Sequence, residues 1–352
     1  SHAGFIDSNG PVNLTQIQAV NLRIGSGSGL GLTAYSPELI FADNGAAEAI
    51  AQYDIETENI VEIGAGSFYS TSNIYTPIAS GIAVMDSGNT LWYTNICYIN
   101  GYGTVFCGNS WGKNYPPAFG PYITVYGGLV IDAGGDGMEA VNIADGSVIW
   151  TINYLTSRIG YTTGTVTTIP TVGGNVIVVG LTSPNVVMAF NASNGKYVWS
   201  INLNSTAINN APAYSGGYFY FTAGNSLYKV SLSGKIIWVD NLGVLAMDTP
   251  AVAYGAIYLG TSSGLLLAIN ATTGSIVWYD NLNSSITASP IVSINHIVYE
   301  ATMGGVVYAI NAQNGQILSS YNINAPVEAN PVLVDGYLLI LDNYGILHVF
   351  KP

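Results

Sequence analysis

One eleven-residue phrase recurs along this chain, and its spacing restricts the fold more than any other feature. It reads Ala140-Val-Asn-Ile-Ala-Asp-Gly-Ser-Val-Ile-Trp150, Ala189-Phe-Asn-Ala-Ser-Asn-Gly-Lys-Tyr-Val-Trp199, Tyr228-Lys-Val-Ser-Leu-Ser-Gly-Lys-Ile-Ile-Trp238, Ala268-Ile-Asn-Ala-Thr-Thr-Gly-Ser-Ile-Val-Trp278 and Ala309-Ile-Asn-Ala-Gln-Asn-Gly-Gln-Ile-Leu-Ser319. Each copy is an apolar stretch, a glycine turn and a second apolar stretch, the pattern of two strands joined tightly. The glycines Gly195, Gly234, Gly274 and Gly315 lie 39, 40 and 41 residues apart. A period near forty made only of strands predicts an all-β propeller with one four-stranded antiparallel blade per repeat.

A second column repeats in the same phase. Pro170, Pro212, Pro250, Pro290 and Pro331 each open an apolar stretch, at steps of 42, 38, 40 and 41. Proline has no N–H to give a ladder and suits the start of a strand. In the weaker first third, Gln52-Tyr-Asp-Ile-Glu-Thr-Glu-Asn-Ile-Val-Glu62 aligns with the phrase, with Glu58 in the glycine slot, and Asn100-Gly-Tyr-Gly103 supplies a further turn. Three strands follow Gly315, at 331–334, 337–341 and 346–350, and a fourth is missing there. The alternating segment Thr15–Leu22 is unassigned at the other end. Pairing the two makes residues 12–22 complete the C-terminal blade and removes an exposed edge. The expected fold is one domain over 1–352 with eight blades; seven is the alternative count.

The phrase resembles the repeat of the PQQ-like propeller family, whose consensus runs Ala-x-Asp-x-x-Thr-Gly-x-x-x-Trp. That family includes quinoprotein alcohol dehydrogenases, an outer-membrane assembly lipoprotein and the tetrathionate hydrolases of acidophiles. The resemblance runs from about Gly120 to the C-terminus. It implies that Trp150, Trp199, Trp238 and Trp278 dock between neighbouring blades, with Ser319 a departure. It does not imply PQQ itself: the dehydrogenases are much longer and carry a calcium site and an adjacent cysteine pair with no counterpart here. No cofactor and no metal are expected.

Charged residues make up only 8 % of the chain, against about a quarter in ordinary globular proteins. With seven basic residues and a net charge of −13, there is no patch to neutralise phosphates, which argues against nucleic acid and anionic membrane as partners. No apolar run reaches the length of a membrane span. Where the family has aspartate in the turn, this chain has Asn142, Asn191, Asn270 and Asn311. Asparagine accepts the turn's N–H at any pH, whereas aspartate loses its charge near a pKa of about 4. Polar uncharged residues and 25 tyrosines are expected to cover the surface instead. These features point to an acidic exterior, such as that of a thermoacidophilic archaeon.

Cys97 and Cys107 flank the Asn-Gly-Tyr-Gly turn, so antiparallel strands would oppose them; a disulfide there implies an oxidising compartment. Glycosylation sequons occur at Asn13, Asn191, Asn204, Asn270 and Asn283, a number close to chance in so Asn/Ser/Thr-rich a sequence. The glycine-rich stretch 24–32 lacks the lysine and following helix of a phosphate loop and reads as a connection. His2, His296 and His348 are scattered.

Propeller ligands sit where innermost strands begin, just before the repeating prolines. Two places back stand Thr168, Asn210, Asp248, Ala288 and Ala329, with Glu328 one further. Asp248 is the only carboxylate in its column and the candidate general acid, the role that the resemblance to tetrathionate hydrolases implies; a strand-capping aspartate is the competing reading. Arg158 and Asp132, read as loop residues, are secondary candidates. The expected function is an extracellular or cell-surface scaffold holding a protein or glycan, alone or in a larger assembly. The alternative is an extracellular hydrolase of sulfur oxyanions.

Overall fold

The computed structural model describes residues 122–351 apart from 143–144, 204–205, 207, 209 and 247. Before these it describes 5–6, 8–22, 24, 26, 31–36, 39–43, 50–58, 60–62, 76–78, 81–86, 90–99 and 105–114, and the backbone alone between 61 and 114. The sequon at Asn204, the turn at 100–103, His2 and most of the glycine-rich stretch lie outside the described residues.

The described strands form eight sheets, each with a four-stranded antiparallel core. One repeat shows how sequence becomes sheet. Pro250 precedes a short inner strand, Ala251–Ala253; then come Ala256–Gly260, Leu265–Asn270 and the outer strand Ile276–Asn281. Strands likewise begin one residue after Pro170, Pro212, Pro290 and Pro331, where a missing N–H costs no ladder bond. In the third strand, Asn270 Oδ1 accepts from the backbone N–H groups of Thr272 and Thr273 at 2.8 and 3.0 Å. Asn191 and Asn311 do the same for Ser193 and Gln313 at 3.0 and 2.9 Å. Asp54 fills this slot in the weak first repeat, accepting from Glu56 and Thr57, and Glu58 adopts the left-handed φ of 56° that the glycine would.

Contacts group the chain into two compact units, one chiefly Gly66–Gly224 with Tyr228–Ile237, the other His2–Ala65, Asn225–Leu227 and Trp238–Pro352. In the first, two apolar clusters fill the space between successive sheets, around Ile131, Met138 and Phe190 and around Val187, Phe219 and Phe221. Trp150 Nε1 donates to Ala192 O at 2.8 Å, and Trp199 Nε1 to Leu232 O at 2.9 Å. Each indole lies against the turn glycine of the next repeat, so closely that a Cβ on Gly234 would stand 2.5 Å from Trp199. The glycine is therefore needed twice, for its positive φ and for the absence of a side chain.

In the second unit, Trp278 Nε1 and Tyr258 Oη both donate to Ala312 O, at 3.1 and 2.9 Å. Ser319 takes the next tryptophan slot, and the reason is visible. The strand Thr15–Asn21 pairs antiparallel with the last strand, Ile346–Lys351, so this sheet has no hairpin turn to receive an indole. The residues entering Thr15 take the turn's place: Ser319 Oγ donates to Val12 O at 2.7 Å and accepts from Leu14 N at 3.1 Å. Tyr299, in the position of Tyr258, donates to Pro11 O at 2.9 Å. Upstream, Asn295 bonds both the N–H and the C=O of Gly10, and Phe5–Ile6 lies parallel beside the inner strand Ile291–Ser293.

The expectation that tyrosines sit on the surface needs correcting. Tyr154, Tyr279 and Tyr344 are exposed, but Tyr53, Tyr220, Tyr258 and Tyr299 are core residues. Tyr53, Tyr258 and Tyr299 donate to Gln18 and to carbonyls, as buried hydroxyls must. Asp132 is likewise not in a loop. It lies in the strand Leu129–Gly134, buried and in register with Glu139, because the apolar run around it carries it into the sheet.

Candidate functional site

The outer strands carry a surface feature that repeats. After the turn, two successive apolar side chains stand in solvent: Val148 and Ile149, Tyr197 and Val198, Ile236 and Ile237, and Ile276 and Val277, with Ile317 beginning a fifth such strand. Val277 is 54 % exposed and Tyr279, two residues on, 65 %. Each of these strands is last in its sheet. One face of the strand packs its Trp on the neighbouring turn. Among the described residues, no further strand pairs with the outer row of N–H and C=O groups. Unprotected edges of this kind are where another chain can add.

The sequence candidate Asp248 is only 2 % exposed. Its Oδ2 accepts from Gly260 N at 2.8 Å, as Thr168 Oγ1 does from Gly180 N at the equivalent place two repeats earlier. The carboxyl thus caps the end of the second strand. Burial raises its pKa well above the usual carboxylate range. The structure brings within electrostatic reach of it a residue the sequence reading missed, Glu300, which is 0 % exposed. Burial raises this acid too, and the charge of Asp248 raises it further. Its only sequence signal is a lone acid inside the apolar strand Ile297–Ala301.

The other candidates are dispersed. Arg158 lies in a short 3-10 helix, Thr156–Ile159. His296 stacks on Tyr254 with ring centroids 3.8 Å apart, both at positive φ on turns of successive repeats. His348 is buried between Asp342 Oδ2 at Nε2 and Gln16 Oε1 at Nδ1, each 2.9 Å away, which ties the N-terminal strand to the last one. Asn191 and Asn270 spend their side chains on turns, whereas Asn13 and Asn283 are exposed. Cys97 and Cys107 are direct partners across the antiparallel strands Thr90–Ile99 and Val105–Asn114.

The family model described as outer membrane protein assembly factor BamB matches residues 71–211 and 134–349. The chain belongs to the PQQ-like propeller family. Among solved structures, BamB from Moraxella catarrhalis is 16 % identical with a TM-score of 0.70, covering 96 % of this chain and 100 % of its own. A europium-containing methanol dehydrogenase is 10 % identical with a TM-score of 0.77, covering 99 % and 96 %. Quinohemoprotein alcohol dehydrogenase from Comamonas testosteroni is 12 % identical with a TM-score of 0.76, covering 99 % and 78 %. At such identities these likenesses show the fold alone. No curated protein sequence matches the chain.

Because some of these propellers are quinoproteins, the fit of a quinone–metal centre matters. Among the described residues no three His, Cys, Asp or Glu side chains cluster as a metal would need, and the only two cysteines are ten positions apart rather than adjacent. No helix of the described residues is long and apolar enough to cross a membrane.

Proposed function

We propose that this propeller is a protein-binding scaffold of the cell exterior, working in acid and holding its partner through the outer strands of its blades. The observation that carries the reading is the recurring exposed pair of apolar, mostly β-branched residues on strands that end their sheets. Such a surface suits a protein strand better than a glycan, whose hydroxyls need clustered polar groups. The family's description as an assembly factor agrees with a partner-holding role. Two further features support the setting. Opposed Cys97 and Cys107 suit a disulfide, and the asparagine turn caps hold without ionisation.

A photo-crosslinking residue at Val277, used in protein made in its native host, tests the reading. The expected result is one discrete protein adduct, lost when Ile276 is also changed to Lys and absent from a crosslinker at the exposed turn residue Tyr254. Equal labelling from both positions, or none from Val277, would refute it.

A further inference from the structure

Asp248 and Glu300 each use one carboxyl oxygen and leave the other idle. Asp248 Oδ2 takes Gly260 N at 2.8 Å and Glu300 Oε1 takes Ala301 N at 2.9 Å. Gly260 and Ala301 hold the same place in successive repeats. Asp248 Oδ1 and Glu300 Oε2 are fully buried with no partner among the described residues, which is rare for a carboxylate oxygen in a folded protein. The segments that carry the pair, 246–260 and 286–301, contain no lysine or arginine.

The cap itself does not need a charge. At the equivalent place Thr168 offers a neutral hydroxyl to Gly180 N at 2.8 Å. Two ionised carboxylates here would each lose their hydration with no opposing charge on the segments that carry them, and would repel one another as well.

We propose that Asp248 and Glu300 form a proton-dependent lock between successive repeats, closed when the pair is protonated and loosened when both acids ionise. Among the described residues, the two sheets that carry the pair also hold one further carboxyl, Asp280, in register with Gly260 through Leu266 and itself raised by burial, besides tyrosines and one histidine. Tyr308 stands opposite Glu300 in register and donates to Leu282 O. Tyr258 and Tyr299 turn their hydroxyls to Ala312 O and Pro11 O. Tyr254 and His296 stack on one another at the turns. None of them is hydrogen-bonded to either acid among the described contacts.

The direction of the pH effect follows from burial. The fold raises both acids above their unfolded values near pH 4. From about pH 4 upward the native state therefore holds more protons than the unfolded one, and stability falls as pH rises until both have ionised. Each pK unit of that rise is worth roughly tenfold in the folding equilibrium constant.

Denaturant titrations of the full chain from about pH 3 to about pH 7, for wild type, Glu300→Gln and Asp248→Thr, test the lock. The wild-type midpoint should fall over this range, and either variant should flatten the fall. At neutral pH Glu300→Gln should exceed wild type by roughly tenfold or more in the folding constant, with no advantage in acid. Infrared difference spectra should show a protonated-carboxyl carbonyl band in wild type near pH 6 that is weakened in Glu300→Gln. A flat or rising wild-type profile, an undiminished slope in both variants, or no such band would overturn the proposal. Should Glu300→Gln fail to fold, the Asp248→Thr titration and the weakening of the band in that variant decide.

Discussion

Changing Gly234 to Ala puts the tryptophan seat to a quantitative test. Gly234 has a φ of 81°, and a Cβ there would stand 2.5 Å from Trp199 Cγ and 2.8 Å from its Cβ and Cδ2. Two costs follow. Holding alanine in the left-handed region costs about 1–2 kcal/mol. The contact falls on the body of an indole rather than on a flexible tip, so Trp199 must leave its place. That forfeits its bond to Leu232 O, about 1 kcal/mol, and brings an overpacking cost of about 1–3 kcal/mol. The total is about 3–6 kcal/mol. Gly217→Ala is the control: its φ is 87°, yet nothing lies within 4 Å of the added carbon, so only the backbone cost applies. Equilibrium denaturation followed by circular dichroism should show Gly234→Ala the more destabilised by about 2–4 kcal/mol. In a Trp199→Ala background that excess should vanish. Equal losses for the two glycines, or an excess that survives removal of the indole, would refute the reasoning.

Ser319→Trp should expel Val12–Leu14 from the slot they fill, so limited proteolysis should cut before Thr15 in the variant and not in wild type. Tyr299→Phe leaves Pro11 O without its buried donor and should cost about 1–3 kcal/mol by denaturant melt. Asn270→Asp should match wild type near neutral pH and lose stability below about pH 4, as the carboxylate that replaces the turn acceptor is protonated. A wild-type-like acid profile in that variant would show that the asparagine caps have no bearing on acid tolerance.

Much of the fold could be read from short-range chemistry. The phrase names its own turn: an asparagine that accepts two residues on, a glycine that must be left-handed, a tryptophan that needs that glycine bare. Even the deviant first repeat obeys it, through Asp54 and Glu58. What escaped the sequence was whatever depends on residues far apart along the chain. Ser319 looked like a lapse in the repeat because its partner, Val12, stands 307 residues earlier. His348 looked solitary because Gln16 is 332 residues away. Glu300 was passed over because nothing in the run Ile297-Val-Tyr-Glu-Ala301 says that a second buried acid, Asp248, stands close enough for its charge to be felt. The column of residues before the prolines did isolate Asp248. It could not tell a capped, buried carboxyl from an acid open to a solute, because burial is set by the neighbouring repeat.

The scaffold reading stands or falls most directly on the particle mass of the protein taken from its native source, by light scattering at about pH 3. The account predicts a homogeneous complex heavier than one chain, which falls to the mass of the chain alone when Ile276 and Val277 are both changed to Lys. A clean monomer from the native source, or a complex that keeps its mass in the double variant, would contradict it.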